Sequence, residues 1–186
     1  MKRKILNVNK GIVLLLLLVV TAISISIVDM IKNAALKESA RSQANTFITE
    51  IASLYTWPKD MPDIDAIEFE KNEKKYYSYF DAGYEKVKPY VYDSSVIKDE
   101  LRTFAMKSVR SFLLNDVKPE QVTFTPDITK VDLNKGTATV TGSITSKTTT
   151  KGGKTFNRST DFNLHMEYRN DEWIVVGFFP SSAQTV

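Results

Sequence analysis

Eighteen consecutive uncharged residues, Gly11 to Val28 (GIVLLLLLVVTAISISIV), constrain this chain more than anything else in it. As a helix they span roughly 27 Å at ~1.5 Å per residue, close to the ~30 Å apolar slab of a bilayer. Only a helix can cross that slab as a single segment, because each peptide group must be bonded internally. The polar members, Thr21, Ser24 and Ser26, have hydroxyls short enough to bond back to the same helix. The stretch reads as one membrane span.

The flanks set an expected orientation. Lys2, Arg3, Lys4 and Lys10 precede the span, and no acidic residue occurs before Asp29. Lys and Arg are retained on the cytoplasmic side. The sequence therefore predicts a cytoplasmic basic tail (residues 1–10), a transmembrane helix (11–28) and an extracytoplasmic remainder. A cleaved secretory signal is the competing reading. It is disfavoured because the apolar run exceeds the usual signal core and the helical pattern continues past Ser24 and Ser26.

The formal charge of +3 misleads, because it is unevenly placed. Four of the 25 basic residues precede the span and all 22 acidic ones follow it, leaving 21 cations against 22 anions, or −1. That balance reads as a topology signal and not as a nucleic-acid surface. With no cysteine in the chain, disulfides, thiolate metal sites and cysteine nucleophiles are excluded.

Residues 29–57 are Ala-rich and contain neither Gly nor Pro, good helix conditions. Apolar residues become frequent from Phe47 through Ile48, Ile51, Leu54 and Tyr55. The segment reads as a helical stalk that docks on the following domain through its last turns and ends at Pro58. A self-associating coiled coil is disfavoured, because the Ala-rich half lacks a sustained heptad.

Residues 58–186 form the main domain. A helix is expected from about Asp63 to Asp81, with Asp60 or Asp63 as cap, Ile64, Ile67, Tyr76, Tyr79 and Phe80 on its apolar face, and Gly83 as its stop. The segment 87–92 (VKPYVY) is expected to be extended. Residues 94–114 read as an amphipathic helix capped by Ser94 or Ser95, with a stripe of Ile97, Leu101, Phe104, Ala105, Ser108, Val109 and Phe112.

From residue 117 the period changes to two. Val122, Phe124 and Ile128 keep one phase while Val131 and Leu133 take the other, which predicts a bulge near 126–130. Hairpin turns are expected at Asn134-Lys135-Gly136, at Lys151-Gly152-Gly153-Lys154 and at Asn170-Asp171. Ala138, Val140, Gly142 and Ile144 share one face. Phe162, Leu164, Met166 and Tyr168 point inward, and Asp161, Asn163, His165, Glu167 and Arg169 outward. Trp173 to Phe179 reads as a strand covered on both faces. The fold class is α+β: an N-terminal transmembrane helix and stalk, then helices packed on a curved four-stranded antiparallel sheet.

Two clusters are candidate sites. Tyr76, Tyr77, Tyr79, Tyr84, Tyr90 and Tyr92 suit a partner surface, since tyrosine has an apolar body and a wet tip. Lys147, Lys151, Lys154 and Arg158 gather around one hairpin and suit anionic lipid, wall polymer or a protein partner. His165 is the single histidine, flanked by acids, but it sits on a polar strand face. No phosphate loop, metal-ligand spacing or nucleophile constellation is visible. The sequence predicts a non-enzymatic protein without cofactors.

The order of these elements resembles the single-span scaffold subunit of type IV secretion and conjugative transfer systems. The resemblance rests on the basic N-terminus, one span, a stalk, further helices, a four-strand meander and a closing Trp173-x-Val175-x-x-Phe178. It implies a nuclear-transport-factor-2-like external domain and a non-enzymatic role in a transfer channel. It also implies bilayer contact, partner subunits of a transfer complex, an open question of homo-oligomers, and no direct nucleic acid. The Asn-Pro-x-Gly turn of Gram-negative relatives is absent, which points to a divergent, Gram-positive-like version. An exported, tethered binding module for a small or cell-wall ligand is the alternative. A small enzyme of the same fold, with a carboxylate facing into the cup, stands third.

Overall fold

The computed structural model describes residues 10–57, 61–92, 95–115, 119–150 and 152–181. The chain divides into two compact units, Met1–Glu38 and Ser39–Val186. The topology residues Lys2, Arg3 and Lys4, the turn residues Pro58 and Asp60, the cap candidate Ser94, and Lys151 lie outside the described residues, as do the side chains of Lys10 and Ser95.

Helix α1 runs from Lys10 to Ile51. Within the first unit it is long and apolar enough to cross a membrane. Thr21, Ser24 and Ser26 each donate to the carbonyl four residues earlier, at 2.8, 2.8 and 3.0 Å. The hydroxyls are thus satisfied by the helix itself, as the sequence predicts.

In the second unit the packed face of α1 starts earlier than its visible apolar pattern. Ala40, Ala44, Phe47, Ile48 and Ile51 are all fully buried. The two alanines precede Phe47 on the same stripe and are small enough for close approach. Arg41 donates to the Ile128 carbonyl at 2.7 Å. The helix gives way to a 3-10 turn at Ala52–Leu54, and the Trp57 amide donates to the Pro119 carbonyl at 3.0 Å.

The single helix expected over 63–81 is instead three pieces. Helix α2 is Ala66–Lys71, capped by Asp65, whose Oδ1 accepts from the Glu68 amide at 2.7 Å. Asn72 leaves helical geometry, and its side-chain amide donates to the Glu68 carbonyl, the competition with the backbone that makes Asn a poor helix residue. A 3-10 turn, Glu73–Tyr76, leads into α3, Tyr77–Val87. On α2 the buried residue is Phe69, while Ile67 faces solvent.

Gly83 does not stop a helix. It lies inside α3, and a Cβ there would sit 2.9 Å from Leu54 Cδ2. Its smallness lets α3 approach the 3-10 turn. Residues 87–92 are extended at Val91 but not before it. A 3-10 turn covers Lys88–Tyr90 with Pro89 near its start, where a fixed φ and a missing N–H cost nothing. Helix α4, Ser95–Leu114, matches its expected bounds. Its fully packed residues are Ile97, Leu101, Ala105, Met106 and Val109, with Phe104, Ser108 and Phe112 half-buried.

The sheet is a meander in the order β1-β2-β3-β4, antiparallel throughout. Its strands are β1 Pro119–Asn134, β2 Thr137–Thr150, β3 Thr155–Arg169 and β4 Glu172–Pro180. The expected bulge is present: the β1–β2 register slips between Ile128 and Lys130. This slip lets Val122, Phe124, Ile128 and Val131 all be buried despite their change of phase. The β1–β2 turn uses Lys135 and Gly136 at φ 43° and 84°, and the β3–β4 turn uses Asn170 and Asp171 at 51° and 65°. Positive φ at both central residues matches the twist of two-residue hairpins.

Strand β4 is covered on one face, not two. Trp173, Val175 and Phe178 are buried, Ile174 and Val176 are half-buried, and Phe179 is 47% exposed. Its apolar run has a different cause. Met166 pairs with Val175 and His165 with Gly177, so Val176 is an extra residue and the inward phase shifts by one. A bulge on an edge strand thus mimics the unbroken pattern of a two-sided one.

Candidate interaction surfaces

The interior between helices and sheet is filled by aromatic rings. Phe178 meets Phe47, Phe104 and Phe162 at centroid separations of 5.8, 5.5 and 6.4 Å. Tyr55 lies between Phe104 and Phe124 at 4.9 and 4.8 Å. Edge-on and tilted geometries of this kind suit the ring quadrupoles.

The Tyr55 hydroxyl is buried and has no hydrogen-bond partner among the described residues. Burial holds it protonated well above its ordinary range. An unpaired buried hydroxyl costs ~1–3 kcal/mol, so Tyr55→Phe should leave stability unchanged or raise it by about 1 kcal/mol. The alkaline limb provides a second readout. Because the folded state keeps the proton, stability is constant below the free tyrosine value near ~10 and falls as pH climbs past it. Denaturant melts between neutral pH and pH 11 should show a smaller alkaline loss in Tyr55→Phe.

The six tyrosines do not form one surface. Tyr76 and Tyr84 are core residues, 1% and 6% exposed. Tyr76 stacks on Phe69 and donates to Glu68 at 3.1 Å. Burial, then that bond, raise its pKa. Tyr77, Tyr79 and Tyr90 are half-buried, and Tyr92 is exposed. Arg102 lies over Tyr77 at 4.7 Å and Lys98 over Tyr84 at 5.0 Å. Both cations also meet Asp81, at 3.2 and 3.5 Å. Asp81, Tyr84, Lys98 and Arg102 rim a shallow cleft floored by Leu54, Phe80 and Leu101.

Tyr92 belongs elsewhere. Its amide donates to the Val175 carbonyl at 2.8 Å, and its ring lies 4.6 Å beneath Arg169. Glu167 and then Tyr92 hydrogen-bond the Arg169 guanidinium and raise its pKa. With the bridge between Val91 and Val175, this latch covers part of the free side of β4. Its anchor is a backbone contact, which residue spacing does not reveal.

The basic hairpin is also divided. Ser146 faces Arg158 and Lys147 faces Asn157 in the β2–β3 register. Side chains alternate along a strand, so Arg158 shares the face of Phe162 while Lys147 lies on the opposite one. Lys154 sits by the turn, where its carbonyl accepts from the Thr150 amide at 3.0 Å.

His165 is exposed on the outer face, 5.1 Å from the Phe179 ring. Asp161 is exposed and Glu167 half-buried; Glu167 accepts from Arg169 Nε at 2.7 Å. Among the described residues no group of three or more His, Cys, Asp or Glu could hold a metal ion. One carboxylate oxygen of Glu100, near the start of α4, is buried without a described partner, as is the indole nitrogen of Trp173.

No sequence-family model matches the chain, and no curated protein matches it. Solved structures do. One is a protein from Xanthomonas campestris described as a calcium/calmodulin-dependent protein kinase II association domain. It is 19% identical, with 71% of this chain and 98% of that chain covered and a TM-score of 0.35. Another is an NTF-2-like protein of unknown function from Shewanella oneidensis MR-1. It is 14% identical, with 66% of this chain and 100% of that chain covered, also at 0.35. Overlaps of this size are silent on function.

Proposed function

We propose that this protein is a membrane-anchored assembly scaffold that works through protein–protein contacts. One observation carries the reading: a bilayer-length apolar helix and a compact α+β unit with a ring-filled interior occur in one chain. Its polar clusters lie at the surface, where they can meet partners and not a buried substrate. The resemblance to the single-span subunit of type IV secretion and conjugative channels supplies the finer identity, a divergent Gram-positive-like member with its main unit outside the cytoplasm.

Two measurements test this. The absence of native cysteine makes single-cysteine labelling clean. Thr145→Cys, at an exposed position of β2, should react with a membrane-impermeant maleimide on intact cells. Protection until lysis would reverse the orientation. Deleting the gene should stop DNA or protein transfer, and residues 29–186 produced without the span should fail to restore it. Full restoration by that soluble form would defeat the scaffold reading.

A further inference from the structure

Strand β3 is longer than the strand beside it. Its pairing with β4 runs from Arg169↔Glu172 to Phe162↔Pro180, and the last contact on that side is the Ser181 amide donating to the Asp161 carbonyl at 2.8 Å. Thr155 to Thr160 pair with β2 on one side; no described residue pairs with them on the other. This leaves about six residues, roughly 20 Å, of strand edge with outward N–H and C=O groups.

The side chains along this edge are unusual for the unit. Arg158 is the one charged side chain on the edge itself and Lys154 precedes it at the turn, with no acid anywhere in residues 133–160, although Ser39–Val186 carries 20 acids against 19 cations. Phe156 is 46% exposed, in phase with Arg158 on the face that further along holds Phe162. No described carboxylate pairs with Lys147, Lys154 or Arg158.

We propose that the Thr155–Thr160 edge is a strand-addition site for an extended acidic segment of another protein. The partner's backbone would continue the sheet beyond β3. A carboxylate would meet Arg158, and an apolar side chain two residues along on the same face would cover Phe156. Main-chain pairing supplies the affinity in such additions, and the alternating side chains supply the selection. Lipid headgroups and nucleic-acid phosphates can answer the cations and accept from an open amide, but they offer no row of alternating donors and acceptors at strand spacing to pair with both the amides and the carbonyls. The inference rests on the scaffold reading and names one of its contact surfaces.

The test uses the full chain in detergent and a fluorescein-labelled eight-residue peptide, Thr-Glu-Thr-Val-Thr-Glu-Thr-Val, whose Glu and Val share one face as Arg158 and Phe156 do. Two controls accompany it: the same peptide N-methylated at alternate residues, and its counterpart with Lys in place of Glu. The acidic peptide should bind at tens of micromolar, with new amide protection confined to 155–160. Arg158→Glu should weaken it about tenfold without moving Tm, and N-methylation should remove it. Absence of binding by the acidic peptide, equal binding by the N-methylated or Lys peptide, or protection appearing elsewhere would each overturn the site. None of these outcomes bears on transfer or orientation, so this site and the scaffold reading can fail separately.

Discussion

Phe178→Ala should destabilise the compact unit by about 4 kcal/mol, lowering Tm by roughly 10–15 °C in detergent. Phe178 is 4% exposed and is the ring shared by α1, α4 and β3, through Phe47, Phe104 and Phe162. Truncation forfeits the transfer energy of the ring and leaves a cavity that three elements would have to close together. Phe179→Ala, one residue along and half exposed, should cost under about 1 kcal/mol. Thermal melts of the pair provide the check. Equal losses would mean that the rings are not the keystone of the packing.

Gly142→Ala should cost about 3 kcal/mol, or roughly 10 °C. A Cβ at Gly142 would lie 2.2 Å from the Asp127 carbonyl oxygen and 2.9 Å from Ile128 Cα. Both obstacles are backbone, at the place where β1 bulges. Relief requires moving the bulge, and with it the Ile128 carbonyl that Arg41 holds. Gly152→Ala is the control, since its nearest neighbour would be the Thr150 hydroxyl at 3.9 Å, and it should change Tm little. A tolerated Gly142→Ala would mean that the bulge slides freely.

The two cases show what the residues alone convey. Gly142 reads as an inward position of an alternating strand, which it is. The reason it must be Gly is a carbonyl fifteen residues earlier, visible only once the register is known. Gly83 misleads in the same way, as a helix stop in the sequence and a packing contact in the fold. The sheet is otherwise legible, because strict alternation and turns such as Asn134-Lys135-Gly136 fix register locally. Helix α4 is legible for a similar reason, through its long periodic stripe. The segment from Asp63 to Tyr92 is not, because short helical pieces broken at Asn72 owe their shape to what they pack against.

The candidate surfaces were less legible than the fold. Spacing gathered six tyrosines that burial separates, and it grouped Lys147 with Arg158, which the β2–β3 register sends to opposite faces. The Tyr92 latch and the open β3 edge are backbone features, and side-chain patterns do not announce them. Phe156 carried a hint, as an aromatic beside the tip of a basic hairpin where a core residue would not be expected.

The three hydroxyls of the span have already spent their donors on carbonyls one turn behind. What that stretch offers its surroundings is therefore grease and little else: no side-chain amide, no acid and no unbonded hydroxyl donor with which to choose a companion. On the proposed scaffold reading, recognition falls to the folded part beyond Ser39, and the rod serves as a tether whose length and oiliness matter while its lettering does not.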